Sequence, residues 1–205
     1  MEISVISWNM HGDALNKRPV IEEFLRNHDV LCLQEHFLIE CNKELLEFPD
    51  SHALYFSPAK RLLSHGRPSG GIATLVRKSI PSVLVETSAN HIAIQIANLT
   101  VINTYLPTDY KSEKSEKCFA LAAKRLAKCV TRNAMPEKLL IGDFNCDLRD
   151  LTSTRSNLIL QLTSDLEVLM INRDAAYLHH TEATTNIDPV LASGNLSQSQ
   201  VNVLS

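Results

Sequence analysis

Leu139-Leu140-Ile141-Gly142-Asp143-Phe144-Asn145 is an apolar run that breaks at a glycine and then delivers a carboxylate and an amide. A buried strand ending at Gly142 presents Asp143 and Asn145 on the same side if the chain stays extended, because side chains alternate along a strand. A carboxylate next to an amide suits orienting a water, one group accepting its proton while the other fixes its position. An Asx-rich turn, with both side chains capping the backbone, is the structural alternative. Four further clusters follow the same plan: Ser7-Trp8-Asn9, Leu33-Gln34-Glu35, Asn103-Thr104-Tyr105-Leu106-Pro107 and Asn186-Ile187-Asp188. Polar groups at strand ends converge on one rim of a packed sheet, where a rigid scaffold can hold a reactive site.

Working outward, residues 2–9 read as a strand, and Pro19 opens a helix in which Val20, Glu23, Phe24 and Asn27 step at helical spacing. Val30 to Leu33 is a second buried strand, so the first strand–helix–strand unit delivers Asn9 and Glu35 from two strand ends. Residues 36–70 carry Pro49, Pro58 and Pro68 and read mostly as loop with short elements. Ile72–Val76, Val83–Glu86, Ile92–Ile96 and Leu99–Asn103 read as strands, with Ala97-Asn98 as a tight hairpin turn. Such antiparallel runs suit a β-sandwich better than a doubly wound parallel sheet. Ser112 to Val130 is the clearest helix, with Phe119, Ala122, Leu126 and Val130 in one stripe and Glu113 four residues before Lys117. A further helix covers Thr154 to Leu162, and Val190-Leu191 reads as a short strand.

The 205 residues are 44% hydrophobic and 21% charged, an ordinary globular composition, and no linker or repeat divides them, so one domain is expected. The net charge of −3 gives no global basic footprint, which argues against binding long stretches of DNA by electrostatics alone. Lys60, Arg61 and Arg67 could form a local basic rim or simply a solvated loop. The five cysteines lack any Cys-x-x-Cys spacing, which argues against a zinc site or a disulfide framework. Cys32, Cys118 and Cys129 are expected to be buried thiols. With no signal-peptide pattern and no membrane-length apolar run, a reducing, intracellular setting is expected.

Glu35 paired with Asn9 offers an all-oxygen site with few protein ligands, the kind Mg²⁺ prefers because it keeps several waters and a phosphate oxygen. Taken alone, a glutamate at a strand end such as Glu35 is usually a solvated boundary residue. The Tyr105 hydroxyl could donate to a phosphate, or be a satisfied core phenol.

In order, Trp-Asn, Gln-Glu, Asn-x-Tyr-x-Pro, Gly-Asp-Phe-Asn and Ile-Asp resemble the endonuclease/exonuclease/phosphatase superfamily, the DNase-I-like fold, from Ile3 to about Ser193. Within it, Gln34-Glu35-His36, Gly66-Arg67-Pro68-Ser69-Gly70-Gly71 and Leu106-Pro107-Thr108-Asp109-Tyr110 are similar to the endonuclease domain of LINE-type retrotransposons. The resemblance implies an α/β fold, a four-layer β-sandwich flanked by helices. It also implies hydrolysis of a phosphodiester with Mg²⁺, or Mn²⁺, as cofactor. Carried over by position, Glu35 is the principal metal ligand with Asn9 beside it, and Asp143 aligns or deprotonates the attacking water. Asn145 holds the phosphate or that water, Tyr105 donates to a phosphate oxygen, and Asp188 orients a catalytic histidine. DNA is the implied partner, a linked reverse-transcriptase domain the implied neighbour, and the nucleus the implied location.

The chain departs from the family pattern in two ways. The family's Ser-Asp-His motif, which supplies the histidine, does not occur, so this copy is expected to lack the last C-terminal strand region and to be impaired. Neither His36 nor His179-His180 has a spacing that replaces it. Pro189 stands where the family has a strand residue, which leaves Asp188's orientation open; Thr181, Thr184 and Thr185 lie where a phosphate-contacting threonine is frequent. Two alternatives remain open at this point: a superfamily phosphatase or phosphodiesterase acting on a lipid or inositol phosphate, and a non-catalytic relic.

Overall fold

Strand β1 (Val5–Asn9), helix α1 (Arg18–Asn27) and strand β2 (Val30–Gln34) form a parallel strand–helix–strand unit in which Asn9 lies opposite Gln34. The computed structural model describes residues 2–61, 66–108, 111–132, 137–171, 177–178, 184–185, 189–193 and 196. Pro19 sits in the first turn of α1, where its missing N–H has no helical partner to lose. The helix packs through Ile21 and Leu25, with Phe24 edge-on to Trp8 at 5.5 Å. This corrects the stripe expected from Val20, Glu23, Phe24 and Asn27: all but Phe24 face solvent, because the apolar positions that meet the sheet lie one residue further on.

A 3₁₀ turn at Glu40–Leu46 leads to β3 (His52–Ser57), and β4 (Ile72–Arg77) follows. These strands pair antiparallel to give the order β1-β2-β4-β3. β3 lies in the stretch expected to be mostly loop; Pro49 and Pro58 fall just outside its ends, so they bound a strand rather than interrupt one.

The second sheet begins with β5 (Ser82–Thr87), β6 (His91–Ile96) and β7 (Leu99–Tyr105), a meander whose second turn is Ala97-Asn98 with Ala97 at φ 52°. Helix α2 (Glu113–Arg132) crosses over to β8 (Glu137–Asp143), which lies parallel to β7. Helix α3 (Thr154–Asp165) and β9 (Val168–Met170) follow, then the two-residue strands β10 (Tyr177–Leu178) and β11 (Thr184–Thr185), which pair with each other. β12 (Leu191–Ser193) completes the order β5-β6-β7-β8-β12-β9. Buried Pro189 stands before β12, which therefore keeps its donors although it lies between two strands. Both sheets are mixed rather than purely antiparallel, since β1/β2 and β7/β8 are parallel pairs.

Alternation along the strands builds the layers. Leu31 and Leu33 of β2 point to α1, while Val30 and Cys32 point to the other sheet, where they meet Ile92, Ile94, Val101 and Ile141. On the far face, Ala93, Ile102 and Leu140 pack on the α2 stripe of Phe119, Ala122, Leu126 and Val130 and on Ile159 of α3. The result is the expected α/β sandwich, helix–sheet–sheet–helix, with both faces of each sheet covered. Each large aliphatic side chain in these layers contributes about 1.5–3 kcal/mol by burial. Cys32 and Cys129 are buried as expected, but Cys118 is exposed, because it falls on the side of α2 away from Phe119 and Ala122. Among the described residues, no helix is long and apolar enough to cross a membrane.

Candidate active site

One buried amide pair joins the two sheets beneath the rim. Gln34 Nε2 donates to Asn103 Oδ1 at 2.7 Å, and Asn103 Nδ2 donates to the carbonyl of Ala73 at 2.9 Å and to Thr74 Oγ1 at 3.2 Å. Gln34 also reaches Ser7 Oγ at 3.0 Å. Gln34 and Asn103 are therefore consumed within the sandwich, and the groups left at the rim are those one or two residues beyond them.

The first of these is Glu35. It adopts a left-handed backbone (φ 51°) directly after β2, which swings the chain out of the strand. Its Oε1 accepts the Tyr105 hydroxyl proton at 2.6 Å and its Oε2 faces His11 Nδ1 at 2.9 Å. The loop after β1 is bound to the same corner, with Gly12 N–H donating to the Glu35 carbonyl at 2.6 Å. On the other side Phe37 N–H donates to the Gly70 carbonyl at 3.1 Å. Gly71, at φ 89°, leaves room for the His36 ring, which any β-carbon there would strike.

Asp143 enters from β8, buried at 3% exposure, and both its oxygens are engaged. Oδ2 accepts from Asn9 Nδ2 at 2.8 Å, and Oδ1 accepts from the Asn145 backbone N–H at 2.8 Å. Gly142 makes this entry possible: its φ of 133° is closed to side chains, and a β-carbon would collide with the Thr104 carbonyl. The chain does not stay extended through Asn145, as the sequence reading assumed. Asn145 is left-handed (φ 50°), and the Asp143–Asn145 contact is the Asx turn offered as the structural alternative. The turn sends Asn145 Nδ2 to the Leu106 carbonyl at 2.9 Å, tying β8 to the end of β7.

Tyr105 is fixed at its backbone by Asn90, which accepts from the Tyr105 N–H at 2.8 Å and donates to its carbonyl at 3.0 Å. Burial and then the adjacent Glu35 push the phenol's pKa above its ordinary value, so it keeps its proton and acts as a donor. In this structure that donor goes to Glu35. Behind it, buried Arg155 donates to the Pro107 carbonyl at 2.7 Å, to Ser115 Oγ at 2.8 Å and to Glu116 Oε1 at 2.7 Å, while stacking over Phe119. This cation anchors the loop that follows Tyr105 to both α2 and α3.

The structure thus brings Glu35, Asn9, Tyr105, Asp143 and Asn145 together, with Glu35–Tyr105 and Asn9–Asp143–Asn145 as two bonded groups bridged by His11. Asn9 takes part through Asp143 and through its Oδ1, which accepts from the His11 N–H at 3.0 Å. Asp188, His179, His180 and Thr181 lie outside the described residues. His36 is no substitute for a catalytic histidine: it is buried and stacked on Phe56 at 4.8 Å, and Leu38 N–H donates to its Nδ1 at 3.0 Å. Arg67 belongs to the site's edge, donating to the His11 carbonyl at 2.6 Å and lying over Phe37, whereas Lys60 is exposed and pairs with Ser69 through its backbone. His11 is the residue that sequence reasoning missed. Its signal was a polar side chain before a glycine, two residues past the Asn9 strand end.

The rim's donor set suits a divalent cation. The Glu35 carboxylate and the Asn9 amide oxygen are hard oxygen ligands, few enough for Mg²⁺ to retain waters and a phosphate oxygen. Next to them stand an oriented carboxylate, Asp143, and one further amide, Asn145, which can receive a proton and position a nucleophile.

A model of the endonuclease/exonuclease/phosphatase family matches residues 6–201, and the chain belongs to that family. No curated protein sequence matches it. Similar solved structures include the Neisseria 3′ phosphatase NExo bound to a product DNA hairpin, at 18% identity and TM-score 0.70 over 98% of this chain and 90% of that one. An AP endonuclease from Archaeoglobus fulgidus aligns at 17% identity and TM-score 0.69, over 98% and 90% of the two chains. The catalytic domain of Xenopus laevis APE2 aligns at 15% identity and TM-score 0.72, over 96% and 84%. These likenesses agree with the two-sheet, four-layer fold. As a member of a family of nucleases and phosphatases, the chain has the framework of a phosphoester hydrolase.

Proposed function

We propose that this chain is a divalent-metal-dependent phosphodiester hydrolase that nicks DNA, of the type carried by LINE-like retrotransposons, with activity impaired by the lack of a Ser-Asp-His motif. The convergence of Glu35, Tyr105, Asn9, Asp143 and Asn145 on one rim, from the ends of β1, β2, β7 and β8, carries the hydrolase reading. The Gln34-Glu35-His36 and Gly66–Gly71 segments support the retrotransposon reading, and with it a linked reverse-transcriptase domain and a nuclear place of action. The DNA hairpin bound by the Neisseria relative supports DNA as substrate.

Phosphoester cleavage chiefly needs positioning and charge stabilisation. Glu35, with the Asn9 carbonyl oxygen, would hold Mg²⁺ or Mn²⁺, which supplies charge neutralisation at the phosphate. Asp143, clamped by Asn9 and by the Asn145 backbone, takes the proton of the attacking water. Asn145 supplies the amide that steadies that water or the phosphate. Tyr105 exchanges its bond to Glu35 for one to a phosphate oxygen, a role its firmly held proton allows. Asp188 would orient the histidine of a Ser-Asp-His motif, which this sequence does not contain.

Supercoiled plasmid incubated with Mg²⁺ tests the proposal. Nicked circles should form, their appearance should stop on chelation, and Glu35→Gln should abolish them. Hydrolysis of inositol phosphates without plasmid nicking would replace this reading with the phosphatase one. Neither activity from a folded chain would leave the relic.

A further inference from the structure

The outer face of the six-stranded sheet brings together three metal-ligating side chains from three elements. They are Glu86 of β5, His91 of β6 and Cys129 of α2, and their ligand atoms all lie within 4.8 Å of one another. His91 and Cys129 are buried, whereas the Glu86 side chain remains 38% exposed and gives the cluster an opening to solvent.

A backbone irregularity puts Glu86 there. β5 and β6 keep regular register as far as Leu84 opposite Ile94, after which the register shifts and Glu86 pairs with Ala93. In an unbroken strand Glu86 would share the face of Leu84 and Ile94, toward the sandwich interior. The bulge at Val85 turns it to the face of Ala93, which packs on α2.

His91 is oriented as a metal ligand needs to be. Its Nδ1 lies 3.0 Å from Ser88 Oγ and its Nε2 lies 3.2 Å from Glu86 Oε1. Ser88 Oγ accepts from the Asn90 and His91 N–H groups at 3.1 and 3.0 Å, which leaves its hydroxyl to donate to His91 Nδ1 or to the His91 carbonyl at 3.3 Å. His91 Nε2 faces that carboxylate oxygen with a thiol beside both, and a cation would take the place of the hydrogen between them.

We propose that Glu86, His91 and Cys129 form a binding site for a thiophilic divalent transition ion, zinc being the best match. One sulfur, one nitrogen and one carboxylate oxygen are zinc's ligand types, and three protein ligands leave a fourth position for water. Zinc bonds of about 2.0–2.3 Å place tetrahedral ligands roughly 3.3–3.8 Å apart, so no separation here needs to shorten by more than about 1.5 Å. Burial, followed by the Glu86 charge, pushes the Cys129 thiol up to about 12, so the metal-free residue carries its proton. Uptake therefore forms the sulfur–metal bond and releases that proton to solvent. Arg125, one turn before Cys129 on α2, acts on His91 as a like charge and opposes binding; the Glu86 carboxylate and the new thiolate supply two negative charges against it. The cysteine spacing gave no sign of this site because it uses a single cysteine and ligands far apart in the chain. Asn90, adjacent to His91, holds the Tyr105 backbone, so the ion would brace the hairpin that carries Tyr105.

The test is a Co²⁺ titration of the purified, metal-stripped full chain, with excess Mg²⁺ present to fill the oxygen-lined rim. A thiolate-to-cobalt charge-transfer band should saturate at one equivalent and vanish on adding Zn²⁺. Cys129→Ala should lose the band while keeping the wild-type far-ultraviolet circular dichroism. If that variant misfolds, the half-exposed Glu86→Gln decides, with an expected loss of cobalt affinity of about tenfold or more. No band in the wild type, a band that survives Cys129→Ala, or an unchanged affinity in Glu86→Gln overturns the proposal in favour of a plain His91–Glu86 hydrogen bond.

Discussion

The Tyr105 hydroxyl donates to Glu35 Oε1 at 2.6 Å, joining the end of β7 to the end of β2 across the seam between the sheets. The two residues are 70 positions apart, and the bond sets the spacing of the rim. Tyr105→Phe keeps the ring packing and removes the donor. Nicking by Tyr105→Phe should fall on the order of 10²-fold, while stability in urea changes by no more than about 1.5 kcal/mol. A variant as fast as wild type would take Tyr105 out of the reaction.

Asn103 is expected to matter for stability rather than chemistry. Replacing it with Ala takes the shortest of Gln34 Nε2's bonds, leaving that amide to Ser7 and the Cys32 carbonyl, and removes the side-chain donor from the Ala73 carbonyl and Thr74, all between two sheets and away from water. Loss of buried polar partners on this scale costs about 3 kcal/mol or more. Chemical denaturation reads this directly, and a double-mutant cycle with Gln34→Leu should show strong coupling, because the pair shares one bond.

Gly142→Ala should be among the most damaging single substitutions. The new methyl group meets the Thr104 carbonyl at a φ closed to alanine. Moving β8 away from β7 would also pull Asp143 from Asn9. A loss of about 3 kcal/mol or more is expected, read as a lowered thermal midpoint, with nicking reduced even below that midpoint.

Acid should destabilise the protein before its carboxylates titrate. Burial pulls the His36 ring down to about 4, so the folded chain refuses a proton that the unfolded chain takes below its ordinary value near 6.5. Stability is therefore whole above about pH 6.5 and is lost as pH falls toward 4, by about 3 kcal/mol for this one ring. His52 and His91 are also lowered by burial and act in the same direction. Urea midpoints measured between these limits should fall with pH, and His36→Leu should flatten the slope.

Sequence periodicity was enough to place the buried strands and the polar residues just past them, which is why Glu35, Tyr105 and Asp143 were visible before any coordinates. It could not assign partners. Gln34 and Asn103 looked as chemical as their neighbours, yet their amides serve each other across 69 positions, a pairing that only the sheet-on-sheet stacking creates. His11 was overlooked because its role depends on the loop after β1 folding back along Glu35. The displaced α1 stripe has a similar cause, since Val20 and Ile21 are equally apolar and only the docking angle of the helix selects one. The Asx turn at Asn145 was foreseen as an alternative, but choosing it required the backbone dihedral.

His11, Asp13, Glu35, Phe37 and Asn145 all hold positive φ at or beside the rim. This handedness restricts which substitutions evolution or a mutagenesis library can sample there, independently of catalysis. Threonine, valine and isoleucine are disfavoured at each position by backbone sterics alone, while asparagine, aspartate and glycine enter with little resistance. A lineage released from selection for cleavage would therefore drift toward those three residues. Its rim could look chemically plausible long after it had ceased to work, so Asn and Asp at these positions are weak witnesses to activity, and the glutamate at 35 is a stronger one.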